Sequence, residues 1–391
     1  MHQQKRPRPA AVGVAIAAAV FVFGPAAAGA LGLRAQPLEN RPLADAPSLS
    51  TGWKVFDESS AWVQDHLPVR NAAVEAQRSV ARELFADPAT VGSNLVDGVA
   101  YPLVVQGRGE GNDQWLYFGR DFQNACHPSA GVEQTVARLQ RLAQVLRAAG
   151  KEVAVVVAPD KSSIVTDQLP ERYLGRRCAA ERKAQFWAAY AGRDPDLLDL
   201  RPALRAADRG PERAYLRSDS HWTPRGALAS ARTVVDHLSP GTWRPGDIHP
   251  GPVVRKRGDL GAVLLEDRTD QVPGFSVRRD GVTAGPSTLN GHYTYRYSNS
   301  SRDPSALVRG QTAWIGDSFT YTSRPQWSPW FERVTTRHRA NTERSLVMSE
   351  LVGADAVVFE VVERDAAAGS LGTVDDAFLD ALQTRLAQGR R

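Results

Sequence analysis

The stretch from Val132 to Val157 constrains the fold more than any other part of this chain. Val136, Leu139, Leu142, Val145 and Leu146 recur at helical spacing and make one apolar stripe on a helix predicted over Val132 to Ala149. Gly150 ends it. Val153 to Val157 follows with no polar alternation, the pattern of a strand buried on both faces. A long amphipathic helix leading straight into such a strand is half of a parallel α/β layer. Thr312 to Ile315 and Ala356 to Val362 have the pattern of two more strands of that kind, and Trp115 to Phe118 of a further strand. A last helix is expected from Val374 to Gln388. The expected fold class is α/β with a mostly parallel central sheet.

Two short motifs bring chemistry to this frame. The strand at Thr312 runs into Gly316-Asp317-Ser318-Phe319, where the glycine permits a tight turn and the serine follows. A hydroxyl is a poor nucleophile until a base takes its proton, and a third group must hold that base in one tautomer. Asp219-Ser220-His221-Trp222 supplies both, since residues two apart on an extended segment point the same way. Thr223-Pro224 pairs a favoured N-cap with proline at the first helical position. Leu228, Ala231, Val235 and Leu238 then mark a buried helical face, so the Asp/His pair belongs on the loop entering that helix. A turn serine or a capping histidine is the blander explanation of either motif alone. Together, Ser318, His221 and Asp219 are the expected triad.

The motif order, with Asp-x-His-Trp ahead of Gly-Asp-Ser-Phe, resembles the alginate O-acetyltransferase family (AlgX/AlgJ-like proteins). Glu39-Asn40-Arg41-Pro42-Leu43, Asp65-His66-Leu67-Pro68-Val69-Arg70, Trp115-Leu116-Tyr117-Phe118-Gly119, Pro159-Asp160-Lys161, Gly258-Asp259-Leu260 and Glu363-Arg364 fall in the family's order, so the likeness covers most of the chain from Glu39. It implies an SGNH-like (flavodoxin-like) sandwich whose motifs are circularly permuted. It implies O-acetyl transfer to a cell-surface polysaccharide through an acetyl-serine. It also implies a membrane-bound O-acyltransferase partner that delivers acetyl groups, with no cofactor. An O-acetylesterase is the nearest rival, and a non-catalytic glycan-binding or assembly protein a more distant one.

Around the nucleophile, Trp222, Tyr321, Trp327, Trp330 and Arg337 are candidates to line an acceptor groove, with core packing the alternative for each aromatic. Glu363-Arg364 is expected to form a structural ion pair. The net charge of +5 over 391 residues is spread along the chain, and its densest spots, Arg176-Arg177 and Arg255-Lys256-Arg257, are too short for a nucleic-acid track. No metal site is expected. Cys126 and Cys178 are the only cysteines, and an even pair in an oxidising compartment predicts a disulfide.

That compartment is inferred from the N-terminus. Lys5-Arg6-Pro7-Arg8 precedes an uncharged run from Ala10 to Leu33, the form of a signal-anchor or a cleaved signal, with everything after it outside the cytoplasm. The expected organisation is a basic stub and membrane segment over 1–34, a linker and helical region over 35–110, and the SGNH-like domain over 111–391. Cleavage of the signal would instead leave a secreted or periplasmic protein.

Overall fold

The computed structural model describes residue 62 and residues 93–96, 99–210, 212–289 and 294–388. The expected membrane segment, the linker and the helical pattern over Ala61 to Phe85 lie outside these, apart from Trp62, which is helical. No helix among the described residues is long and apolar enough to cross a membrane. The fold belongs to a unit spanning Asp87–Arg391.

In chain order the elements open with strands β1 (Ser93–Val96), β2 (Val99–Pro102), β3 (Val104–Gln106) and β4 (Leu116–Phe118), then helices α1 (Arg120–Cys126) and α2 (Val132–Ala148). Next come β5 (Glu152–Ala158), α3 (Lys161–Ile164), α4 (Arg176–Tyr190), β6 (Leu197–Asp199), α5 (Arg201–Asp208) and α6 (Pro224–Leu238). The middle contains β7 (Ile248–Arg257), α7 (Asp259–Val263), β8 (Thr269–Val277), β9 (Val282–Ala284), β10 (Thr288–Leu289) and β11 (Tyr295–Ser301). The chain closes with β12 (Val308–Gly316), α8 (Ser318–Thr322), α9 (Arg324–Trp327), β13 (Phe331–His338), α10 (Arg344–Gly353), β14 (Ala356–Val362), α11 (Glu363–Ala368) and α12 (Asp376–Gln388).

One eight-stranded sheet organises the domain, in the order β10-β11-β13-β12-β14-β5-β6, with β9 also pairing β11. The run β13-β12-β14-β5-β6 is parallel, and β9, β10 and β11 add an antiparallel margin, so the sheet is mixed around a parallel centre. The central strands alternate strictly between two cores, as a period of two requires. Val153, Val155 and Val157 of β5 and Val357, Phe359 and Val361 of β14 pack with α2, α4, α10 and α12. Ala154, Val156 and Ala158, with Val358 and Trp314, pack instead with α5 and α6. Helices on both faces explain why these strands lack polar alternation.

Cys126 and Cys178 form the expected disulfide, with Cα atoms 5.3 Å apart, and it ties α1 to α4. Glu363 and Arg364 enter ion pairs, but with other partners than each other. Glu363 accepts the backbone N–H of Asp160 at 2.8 Å and the indole N–H of Trp187 at 2.5 Å, with the Lys183 ammonium at 3.7 Å. Arg364 lies 3.0 Å from Asp160 and 3.4 Å from Asp121. Both open α11 directly after β14, and both reach Asp160 in the loop that follows β5.

Candidate active site

The Asp/His motif sits on a short hairpin. Tyr215 and Trp222 form an antiparallel bridge, Leu216 N–H donates to His221 O at 3.1 Å, and Thr223 N–H donates to Ala214 O at 2.8 Å. Thr223 then caps α6 by accepting Gly226 N–H at 3.3 Å, with Pro224 in the first turn. Asp219 and His221 are both buried. Asp219 Oδ1 accepts the His221 backbone N–H at 2.9 Å and faces His221 Nδ1 at 2.7 Å. A carboxylate can only accept there, so Nδ1 carries the proton and Nε2 presents its lone pair. Among the described residues, buried Nε2 has no hydrogen-bond partner.

Asp219 Oδ2 meets the Lys256 ammonium at 3.1 Å and the Asp259 backbone N–H at 3.3 Å. Burial pushes the Asp219 carboxyl up, but His221 and Lys256 outweigh it and hold it below the usual Asp range. Asp259 stands beside this pair and accepts Ser220 N–H at 2.7 Å and Ser220 Oγ–H at 2.5 Å. Its own carboxyl is raised, by burial first and then by the charge of Asp219. Ligand atoms of Asp219, His221 and Asp259 lie within 4.8 Å of one another, close enough to share a cation. Their oxygens are already committed to Ser220, His221 and Lys256, and Lys256 supplies the positive charge at that point.

The serine motif forms the turn from β12 into α8. Asp317 is the N-cap and accepts Phe319 N–H at 3.1 Å through Oδ1. Its Oδ2 accepts Val362 N–H at 3.0 Å and Arg339 Nε–H at 3.3 Å. Burial opposes its ionisation, yet Arg339 and Arg364 keep its carboxyl low. Gly316 is required by close approach, since a Cβ there would lie 2.0 Å from Thr320 Oγ1. That hydroxyl donates to buried Glu360 at 2.8 Å. Ser318 is half-buried between buried Asp317 and Phe319. Phe319 is where the two motifs meet: its ring centroid is 4.9 Å from that of His221 and 4.8 Å from that of Trp222, edge-on to the latter.

A family profile described as "SGNH hydrolase-like domain, acetyltransferase AlgX" matches residues 109–329. The chain belongs to this family. Curated relatives include the probable alginate O-acetylase AlgJ of Pseudomonas putida, 27% identical over 255 residues, which are 61% of each chain. That of Pseudomonas fluorescens is 28% identical over 160 residues, 40% of each chain. Each match thus takes in less than two thirds of the relative's own length. Among solved structures, the O-acetyltransferase domain of Pseudomonas putida AlgJ aligns with a TM-score of 0.48 at 20% identity, over 72% of this chain and 99% of that one. Pseudomonas aeruginosa AlgX aligns at 0.46 and 15% identity, over 72% of this chain and 65% of that one.

Within this AlgX-family domain four of the five residues expected to line a groove go elsewhere. Trp327 and Trp330 are in the core, with indole N–H groups that donate to Thr320 O and Gln326 O, both at 2.9 Å. They stack on Trp314 at 4.6 Å and on Trp243 at 4.2 Å. Trp222 is itself part of the hairpin and is buried. Arg337 is committed to Glu350, at 3.0 and 2.6 Å. Tyr321 is 9% exposed and packs between Tyr295 and His338, so of the five candidates it is the one at the site's margin. Tyr295 and Tyr297, half-buried on β11, continue that aromatic row, with the Arg324 guanidinium 4.3 Å over Tyr295. Sequence reasoning assigned no role to Lys161, Lys256, Asp259, Asp317 or Arg339. For Asp317 a signal existed, since Asp is a favoured residue at the cap of a helix.

Proposed function

We propose that this chain is an SGNH-type O-acetyltransferase with permuted motif order that modifies a cell-surface polysaccharide through an acetyl-Ser318 intermediate. The observation that carries the reading is the buried Asp219–His221 pair, whose Nε2 lacks a partner among the described residues and whose ring packs on Phe319, the residue after Ser318. His221 Nε2 takes the Ser318 hydroxyl proton as Oγ attacks the acetyl carbonyl. The tetrahedral intermediate collapses, the donor's oxygen leaves with the proton from His221, and acetyl-Ser318 remains. A sugar hydroxyl then attacks the acyl carbonyl, gives its proton to His221, and Ser318 Oγ leaves with that proton. Asp219 stabilises the imidazolium in both halves, and the Ser318 backbone N–H is suited to the developing oxyanion.

The names of the AlgJ relatives support a polysaccharide acceptor. A membrane-bound O-acyltransferase is the proposed acetyl source. The Ala10 to Leu33 run is proposed to hold the domain at the outer face of the membrane, which raises its effective concentration beside that partner. A mature N-terminus beginning near Ala30 would remove the anchor from this scheme.

The test is mass spectrometry of the active-site peptide after brief exposure to an aryl acetate. Acetylated Ser318 is expected in the wild type and none in Ser318→Ala, whose turnover is also lost. A folded Ser318→Ala protein that still turns over would end the reading. Adding oligosaccharide acceptors separates transfer from hydrolysis, because only a transferase yields acetylated sugar; free acetate alone across a broad panel would favour an esterase.

A further inference from the structure

Lys161 opens α3 directly after β5, is 1% exposed, and belongs to none of the steps above. Its ammonium has three donors and the structure gives each an acceptor on the His221 hairpin: Leu216 O at 2.9 Å, Arg217 O at 3.1 Å and Asp219 O at 2.7 Å. The rings of Tyr117 and Trp115 wall it in, with centroids 5.3 and 5.9 Å away. Tyr215 adds a second tie between the same two segments, donating its hydroxyl to Pro159 O at 2.5 Å.

The hairpin's other polar groups are clamped by residues of α7 and β8. Asp270 accepts Ser218 N–H at 2.9 Å and its hydroxyl at 2.7 Å, and Asp259 takes the same two groups of Ser220. Ser218 O accepts the Leu260 and Gly261 N–H groups at 3.1 and 3.2 Å. The serine donors of the loop therefore go to carboxylates, and three of its carbonyls share one ammonium. A hairpin fixed through backbone carbonyls cannot shift its side chains without breaking those bonds.

We propose that Lys161 is a positioning residue that sets the His221 imidazole against the Ser318 turn, by holding the carbonyls of Leu216, Arg217 and Asp219 from the end of β5. The proposal rests on the reading of His221 as the base. Removing the ammonium takes the donor from the buried carbonyls of Leu216 and Asp219, while Arg217 O keeps the Leu116 N–H at 2.9 Å, and it frees the segment that carries Asp219 and His221. A displacement of the order of 1 Å there costs about 100-fold in rate. Lys161 faces Asp259, Asp219, Asp121 and Asp270; burial lowers its pKa to about 8 against their pull.

The test uses the full chain with Lys161→Met and Lys161→Ala. Folded Lys161→Met should lose about 100-fold in kcat on an aryl acetate while KM moves little, and the low-field proton signal of His221 Nδ1–H should shift. Propylammonium should restore turnover to Lys161→Ala, and propanol should not. The wild type is measured as well. ¹⁵N spectra should show Lys161 as a slowly exchanging ammonium at neutral pH, with kcat declining as that ammonium titrates. A folded Lys161→Met with kcat within about threefold of wild type overturns the proposal. So does rescue by propanol equal to that by propylammonium, or a wild-type kcat unchanged across the Lys161 titration, which decides even if neither variant folds. A wild type without turnover would instead count against acetyl transfer, and the His221 proton signal, read in Lys161→Met or across the wild-type titration of Lys161, would still judge the positioning role.

Discussion

Replacing Asp219 by asparagine separates the charge of this carboxylate from its shape. The wild-type oxygens divide their work: Oδ1 serves the two N–H groups of His221, and Oδ2 serves Lys256 and the Asp259 N–H. An amide cannot do both. With its oxygen toward His221, its NH₂ confronts an ammonium and a backbone N–H; turned over, its NH₂ faces Nδ1 and forces the proton onto Nε2, where a lone pair is needed. The same change in a Ser-His-Asp triad costs about 10⁴ in kcat, or about 5.4 kcal/mol at 1.36 kcal/mol per decade. Fold stability should suffer less. Hydrogen bonds to charged groups contribute about 1.5–3 kcal/mol, and removing a buried charge recovers part of its desolvation cost, for a net loss of about 1–2 kcal/mol.

The pH dependence follows from the sign of the shift. The folded-state pKa of Asp219 lies below its unfolded value of about 3.9. Its contribution is therefore complete above that unfolded value and is lost as the pH falls through the depressed folded one. Asp219→Asn has no such step, so its acid unfolding should be shallower. Aryl acetate turnover and urea titrations between neutral and strongly acid pH measure both effects. A folded Asp219→Asn protein within tenfold of wild-type kcat would refute the tautomer argument.

Trp327→Ala should cost about 3–5 kcal/mol of stability through the cavity it opens, and urea unfolding will read it; unchanged stability with weakened oligosaccharide binding would instead make Trp327 a sugar platform. Replacing Cys126 and Cys178 by serine should cost about 4 kcal/mol, the chain-entropy value for the 52-residue separation that this bridge closes. Equal urea midpoints for the two forms would contradict it.

What could be read without coordinates was what local pattern encodes. The stripe of α2, the apolar runs of β5 and β14 and the Thr223-Pro224 start of α6 appear where expected because both partners of each signal are close in sequence. α4 escaped notice because its buried face includes Lys183, whose charge is satisfied by Asp160 at 2.7 Å, and because arginines crowd its first turn. The long β7–β8 hairpin escaped because Pro250, Gly251, Pro252 and a basic run hide any alternation, and its first strand is exposed over most of its length. Asp219 and His221 were legible at a spacing of two. Lys161 was not, because its partners lie 55 to 58 residues away. Proximity to Ser318 along the chain suggested groove residues, but Trp327 and Trp330 find acceptors for their N–H groups on nearby carbonyls, and an indole so satisfied is free to enter the core.

The two halves of the site are held by different strands of one sheet. Ser318 follows β12, and its cap Asp317 is tied to Val362 at the end of β14. The hairpin with Asp219 and His221 is tied to the end of β5 through Tyr215 and Lys161. β12, β14 and β5 are adjacent and parallel, so all three anchors converge at their carboxyl ends, where ligands of open α/β sheets bind. Each acidic anchor meets a fixed cation, Asp219 with Lys256 and Asp317 with Arg339. Burying either carboxylate alone would be costly; paired and hydrogen-bonded, each keeps its charge at neutral pH. An Asp219 charged at neutral pH is what the proposed mechanism needs, because imidazolium forms in both halves of the transfer and a carboxylate already ionised and oriented stabilises it without reorganising.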